Sequence, residues 1–441
     1  MKRIVAVSVC VSACIAGLFP GGAAAADLIE VYREALANDA KFSAARAQFE
    51  AGQEKPVQGR AGLLPQLGLA ANTTWNELDT RSATAAPLPD RSYNSNGYGV
   101  QLTQPLLRWQ NWVQFKQGEL QAALAAAQFG TARQELVLRV ADAYFEVLNA
   151  QDTLAAIGQL RAAAAEQLEL AKTSFEVGTV TITDVHEAQS RFDLASAQEI
   201  AAQNQLEVAR HSLAQIIGKD PEALAGLREG VHLQRPQPDR IVDWVAAAET
   251  GSFSVQAQQL AREIAAREVE RARAGHLPTV DLVATHGVSN RPQTSIERSE
   301  ATTVGLQLNL PLYAGGRVSS LSREAAALRV KADAELEDAR RSAALAARQS
   351  WLGLTSGMAQ VKALEAARVS SASALEANKL GYEVGVRINI DVLNAQTQLA
   401  DTLQRLSRAR YDTLLAQLRL KAAAGTLGED DVAAINALLA P

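Results

Sequence analysis

Apolar residues along this chain follow two alternating periods, and the whole alternation occurs twice. Between residues 111 and 175 they recur at steps of four and three, in a seam through Leu120, Leu124, Ala127, Thr131, Gln134, Leu138, Ala141, Phe145 and Leu148. Val137, Val140, Tyr144 and Val147 form a second seam beside it. This spacing predicts one proline-free helix ~95 Å long at ~1.5 Å per residue, packed against neighbours on two sides. Return helices are predicted from Val185 to Ile217, with Leu206, Ala209, Leu213 and Ile216 in register, and from Val392 to Ala424, with Leu399, Leu403, Leu406 and Leu420. Gly218 and Gly425 close them.

Upstream of each long helix the period falls to two. QLGLAANTTW alternates Leu67, Leu69, Ala71, Thr73 and Trp75 with small or polar residues, and the next run sets Tyr98, Val100 and Leu102 against Gly99, Gln101 and Thr103. TVDLVATHGV and TVGLQLNLPL repeat the arrangement, Val304, Leu306, Leu308 and Leu310 facing opposite to Thr303, Gly305, Gln307 and Asn309. These are two-faced strands, expected to end at Pro105 and Pro311 and joined by polar loops from Asp79 to Tyr93 and from Ser289 to Glu300. Before the strands lie two helical stretches, residues 27–54 and 241–268, each read as one helix. Leu28, Tyr32 and Ala35 of the first recur as Ile241, Val245 and Ala248, and Leu64-Pro65 and Leu277-Pro278 turn both into their strands.

The two hairpin turns make the duplication explicit. FEVGTVTITDVHEAQ (175–189) and YEVGVRINIDVLNAQ (382–396) share seven of fifteen positions, where chance gives about one. In each, a glycine (Gly178, Gly385) ends one helix and an aspartate (Asp184, Asp391) stands where the next begins. An N-cap is the structural expectation for both, supported for Asp184 by Glu187.

The amino-terminal residues 1–26 read as a secretory signal peptide: Lys2 and Arg3, an apolar run from Ile4 to Phe19, and Ala24-Ala25-Ala26 before Asp27. Cys10 and Cys14 are the only cysteines, so a chain starting at Asp27 has no thiol chemistry. VSAC ending at Cys14 loosely matches a lipoprotein box, but the apolar run continues through Phe19, which favours cleavage after Ala26. Losing Lys2 and Arg3 takes the formal charge from -5 to -7 with both signs interspersed, which offers nothing to nucleic acid. No later stretch approaches the ~18 apolar residues of a spanning helix, so membrane insertion must use strands. Four strands fall short of the about eight that close a membrane barrel, so a barrel requires several chains.

Candidate chemistry is sparse. His186, His211, His232, His276 and His286 show no metal-ligand spacing, and Ala314-Gly315-Gly316-Arg317 lacks the lysine of a phosphate loop, so neither metal nor cofactor is expected. Asp184 and Asp391 are a poor hydrolase pair, with no sugar-stacking aromatics nearby. The sequence reads as no enzyme.

GHLPTVDLVATHGVS (275–289), VGLQLNLPLYAGG (304–316), YEVGVRINIDVLNAQ (382–396) and GTLGEDDVAAIN (425–436) together resemble the TolC family of outer-membrane efflux and type I secretion channels, across essentially the whole chain after the signal peptide. The resemblance implies a mostly α fold with a β-barrel portion: an α-barrel tunnel of long helices continued into a trimeric, 12-stranded transmembrane β-barrel, four strands per chain. The chain then divides into the signal peptide (1–26), a first repeat (27–218), an equatorial linker (219–239), a second repeat (240–425) and a C-terminal equatorial helix (426–441). It implies a passive exit duct in the outer membrane of a Gram-negative bacterium, with a large periplasmic portion. A homotrimer sits in outer-membrane lipid and is engaged at its periplasmic tip by an adaptor and by an ABC or proton-driven inner-membrane transporter.

By the same resemblance Val177-Gly178 and Val384-Gly385 match adaptor-contacting tips. Thr183 and Asp184 of the first hairpin match gate partners of Tyr382 and Arg387 in the second. The family's tunnel-entrance ring of two aspartates corresponds to Asp391 and, as a departure, Asn394. Two competing readings are a periplasmic helical coiled-coil scaffold that never inserts, which predicts soluble recovery, and a secreted enzyme, which predicts a small-molecule pocket.

Overall fold

A computed structural model describes residues 25–79, 91–228, 230–231, 234–291 and 297–440. The signal segment up to residue 24 and most of the loop after Asp79 lie outside them. The first half runs α1 (Leu28–Asn38), α2 (Ala40–Gln53), α3 (Lys55–Ala61), β1 (Gln66–Leu78), β2 (Arg91–Leu107), α4 (Trp109–Glu176) and α5 (Ile182–Ile217). The second runs α6 (Ile241–Gly251), α7 (Phe253–Arg273), β3 (Thr279–Asn290), β4 (Arg298–Asn309), α8 (Arg317–Glu383) and α9 (Asn389–Ala423), followed by α10 (Glu429–Asn436).

Each opening helix is broken where the sequence suggested one continuous element. Asp39 ends α1 and starts α2: its N–H donates to the Ala35 carbonyl at 2.8 Å, while its carboxylate accepts the Phe42 N–H at 2.6 Å and Arg139 at 2.8 Å. A short acidic side chain that caps the helix after it competes with continuation of the one before, and the half-buried Arg139 on α4, paired with the buried Asp39, fixes the outcome. The second copy breaks at Ser252, whose N–H still closes α6 onto Ala248 at 3.3 Å. Apolar periodicity runs through both breaks unaltered, so pattern alone hid them.

The long helices follow the predicted seams, and the structure supplies the reason they lie flat against one another. On α5 the buried residues Ala188, Ala195, Ala202 and Ala209 recur every seventh position, as do Ala347, Leu354 and Val361 on α8. A strict heptad keeps the contact seam on one face of an under-wound helix, and alanine lets the axes approach. α4 packs on α5, α7 and α9, and α8 on α9, α7 and α6, which lays α5, α4, α9 and α8 side by side as a wall. Its two flanks carry uncovered apolar residues: Leu194 and Val208 on α5, and Leu321, Leu328, Leu345 and Leu352 on α8.

The largest core lies midway along the wall. Leu28, Val31 and Tyr32 from α1 meet Leu136, Val140, Tyr144 and Phe145 from α4, Leu213 and Ile217 from α5, Leu414 and Leu418 from α9, and Val432 and Ile435 from α10. Phe145 stacks on Tyr411 at 5.5 Å, and the fully buried Tyr144 donates its hydroxyl to the Ala225 carbonyl at 2.7 Å. Burial pushes both tyrosine hydroxyls well above their ordinary range, so they act only as hydrogen-bonding groups. The segment between the repeats is thus fastened at the waist, away from the helix tips.

The four strands form one antiparallel sheet in the order β1-β2-β3-β4, with Leu69 opposite Val100, Val100 opposite His286, and Ala284 opposite Val304. One face carries Leu67, Leu69, Val100, Leu102, Leu282, Leu306 and Leu308, and the other Gly68, Gly99, Gln101, Thr285, Thr303 and Gln307. β4 is exposed along its full length on both faces, so in a single chain the apolar face is uncovered and the edges β1 and β4 are unpaired. β2 does not stop at Pro105 as expected: it continues to Leu107, its register against β3 shifting between the two. A bulge accommodates the missing proline N–H. Arg108 then grips Asp281 of β3 through two bonds, at 2.7 and 2.5 Å, joining the sheet to the start of α4.

Candidate functional site

The site is built from the two helical tips, which share a backbone plan and differ in side chains. Gly178 and Gly385 adopt positive φ, 76° and 78°, and reverse the chain where a side chain would be strained. In the first tip α5 begins one residue after Thr181, its N-cap. The Asp184 carboxylate accepts from the Thr181 N–H at 2.9 Å and hydroxyl at 2.7 Å, and the Asp184 N–H donates back to the hydroxyl oxygen at 3.4 Å. This is a capping box, so Asp184 occupies the third helical position and is not itself the N-cap. The sequence reading placed the helix start too late because it stopped at the aspartate.

In the second tip Ile388 stands where the first has Thr181 and offers no side-chain cap. Asp391 therefore has no hydroxyl partner, and its carboxylate lies 3.6 Å from Arg387. Val386 and Arg387 both donate their N–H to the Gly381 carbonyl, at 2.9 and 3.0 Å, which draws the Arg387 side chain across the end of α8. The approach depends on Gly381: a Cβ there would lie 2.6 Å from Arg387 Cγ. The first copy has Ser174 and Val180 at these positions. Gly381 was not singled out in the sequence. The signal was its pairing with Arg387, since small residue and long cation appear in the same copy.

Between the tips is a cleft of about 870 Å³, lined by Thr179, Thr181 and Asp184 from the first hairpin and Lys379, Tyr382, Arg387 and Asn389 from the second. Asp184, Tyr382 and Arg387 thus come together from different repeats. Thr183 does not: it is exposed and does not line the cleft, and Thr181 takes its place. Within one chain, among the described residues, Arg387 pairs with Asp391 and not with Asp184. Asn389 is buried, with its side-chain oxygen unpartnered at the cleft wall.

Asp391 and Asn394 sit one turn apart on α9. The Asn394 oxygen accepts from Arg191 Nη2 of α5 at 3.1 Å, so a cation from the first hairpin is held against the residue that departs from the second aspartate. Arg191 also escaped the sequence reading, because its counterpart in the second copy is the neutral Gln398. At the outermost points Val177, Val384 and Val386 are 71%, 65% and 76% exposed, an apolar rim on both turns. No group of three metal-binding side chains occurs among the described residues.

The family of outer membrane efflux proteins matches residues 31–219 and 244–426, one block in each repeat. The chain is 35% identical to outer membrane protein TolC of Vibrio cholerae, covering 94% of both chains. It is 33% identical to the alkaline protease secretion protein AprF of Pseudomonas aeruginosa, over 93% of this chain and 86% of that one. Among solved structures, the outer membrane protein VceC of Vibrio cholerae superposes with a TM-score of 0.77 at 22% identity, covering 90% and 96% of the two chains. The MtrE outer membrane channel of Neisseria gonorrhoeae, in its open state, is also similar in fold. The duplicated wall of helices, the four-stranded sheet with one apolar face, and these matches have one account: the chain belongs to the outer membrane efflux protein family, and is an outer-membrane efflux or secretion channel-tunnel with a large periplasmic portion.

Proposed function

We propose that three copies of this chain form a passive duct gated at the two tips described above. Three four-stranded sheets supply the twelve strands of one barrel and remove both free edges of each, and the uncovered flanks of α5 and α8 meet between neighbours. The apolar rim at Val177-Gly178 and Val384-Gly385 receives a periplasmic adaptor that brings an ABC or proton-driven inner-membrane transporter. The gate is held closed by Tyr382 and Arg387 of one hairpin against Asp184 of the other, within and between chains.

The observation that carries this reading is the cleft itself. It collects a carboxylate, a phenol and a guanidinium from the tips of two repeats, Asp184 from one hairpin and Tyr382 and Arg387 from the other. Arg387 is exposed and paired over 3.6 Å with Asp391, a weak contact that it can exchange for a neighbour's Asp184. Planar-bilayer recording of Arg387→Ser, alone and with Tyr382→Phe, tests the gate: conductance rises, most in the double variant, while trimer yield is unchanged. Wild-type conductance in a correctly assembled double variant leaves these residues as adaptor contacts or tip surface. Export of polypeptides is a second use of the same duct, favoured by the similarity to a protease secretion protein over nearly the whole chain.

A further inference from the structure

We propose that Ala26 is the first residue of the mature protein, the signal peptide being cut between Ala25 and Ala26 and not between Ala26 and Asp27. The inference rests on residues 1–25 being an exported leader. Signal peptidase requires small side chains at the first and third positions before the cut. Ala25 and Ala23 meet this for the proposed bond, and Ala26 and Ala24 meet it equally for the next, so the sequence does not separate them. Water adds across the Ala25–Ala26 amide, leaving a carboxylate on the leader and an ammonium on Ala26.

The fold does separate them, because Ala26 is part of it. Its N–H donates to the Ala223 carbonyl at 2.7 Å, and its carbonyl accepts the Ala225 N–H at 3.1 Å, a parallel bridge centred on Leu224. The Tyr144 hydroxyl also reaches the Ala26 carbonyl at 3.2 Å. Leu224, Ala225 and Tyr144 are all buried. The same short segment is held on its other side, where Ala440 donates to the Gly226 carbonyl at 2.7 Å and Leu227 bridges Leu439. Residues 223 to 228 are therefore clamped at the waist between Ala26 and the carboxy-terminal residues.

Cutting after Ala26 would undo half of this clamp. The buried Ala225 N–H would lose its acceptor, and buried donors without partners are rare in native proteins. It would also place an ammonium on Asp27, the N-cap of α1, whose carboxylate accepts the Glu30 N–H at 2.8 Å. Positive charge at that end opposes the helix dipole. A chain starting at Ala26 keeps the carbonyl, and its ammonium occupies the place of an N–H that already donates to Ala223. Both ends of the clamp remain satisfied.

The full chain, expressed with its own leader and extracted from outer membranes, is examined by amino-terminal sequencing and intact mass. A start at Ala26 is expected. A start at Asp27, or lipid on Cys14, overturns the assignment, and an unprocessed chain beginning at Met1 overturns the leader itself. Two variants separate the adjacent bonds. Ala24→Leu alters the second position before the proposed cut but the third before the alternative, so processing and the Ala26 start persist. Ala23→Leu blocks the proposed cut, giving precursor or a start at Asp27. The reverse pattern, with Ala24→Leu blocked and Ala23→Leu processed normally, refutes the proposal.

Discussion

If Asp391 and Asn394 ring the tunnel entrance, as the family resemblance implies, substituting Asn394 by aspartate adds a second carboxylate per chain, and its contact with Arg191 decides how much block by multivalent cations follows. A trivalent ion on the threefold axis, taken as about 8 Å from a lumen-facing carboxylate, is attracted by about 1.6 kcal/mol in water. Screening at physiological ionic strength cuts this to about 0.6 kcal/mol. Three chains give about 1.7 kcal/mol, a roughly twentyfold tighter block. Arg191 stands in the way, however, since its guanidinium is 3.1 Å from the Asn394 oxygen. An aspartate there is drawn into that contact, and a carboxylate held about 3 Å further from the axis contributes about 0.9 kcal/mol over three chains, a roughly fourfold effect. Single-channel block by a trivalent cation should therefore tighten by roughly fourfold for Asn394→Asp alone and by the full twentyfold when the same change is made in an Arg191→Gln background. Equal factors in both backgrounds would mean that residues 191 and 394 do not touch in the assembled channel. No change in either would mean that residue 394 does not face the lumen.

Three further outcomes are expected. Leu308→Arg, on the apolar outer face of β4, costs about 2 to 4 kcal/mol per chain near the bilayer midplane and lowers the yield of membrane-assembled trimer, measured by detergent extraction and sizing. Gly381→Ser, which restores the first copy's residue, forces Arg387 away from the end of α8 and alters channel conductance without changing trimer stability; a wild-type trace would show that Arg387 does not depend on that contact. Tyr144→Phe removes the hydroxyl that Ala225 accepts within the waist core and destabilises by about 1 to 2 kcal/mol, read as a lower midpoint of thermal trimer dissociation in detergent.

The elements with long, uninterrupted periods were legible in the sequence. α4 was expected over residues 111 to 175 and spans Trp109–Glu176, because the four-and-three spacing from Leu120 to Leu148 leaves no competing period and no proline interrupts the stretch on either side. All four strands, too, were visible as alternation. What the pattern could not show was decided by single side chains in tertiary context: the break at Asp39, fixed by Arg139 a hundred residues away, and the passage of β2 through Pro105, allowed by a bulge against β3. Candidate site residues divide in the same way. Asp184, Tyr382 and Arg387, which line one cleft, stand out in the sequence because a duplicated turn exposes its own departures from symmetry. That Thr181 and not Thr183 lines that cleft follows from the capping geometry, which sequence adjacency does not display.

The departures between the copies are coupled, and that coupling separates a gate from a pair of caps. Threonine at 181 ties Asp184 into its own helix start by two bonds, whereas isoleucine at 388 leaves Asp391 uncapped. The second copy also combines Gly381 with Arg387, so its free carboxylate receives a cation laid over the helix end. Three substitutions, at the positions of Thr181, Ser174 and Val180, are thus needed together to turn a self-contained cap into a tip with an exchangeable ion pair. Isoleucine alone would leave a bare carboxylate, and arginine alone would collide with a side chain at 381. One tip is locked onto itself and the other is held by a surface contact worth about 0.2 to 1 kcal/mol, so any opening movement costs least at the second hairpin. Around a threefold axis that small difference is repeated three times. On the gate proposed above, the shared backbone plan makes the duct and the unequal capping of its two tips makes the second hairpin the one that moves.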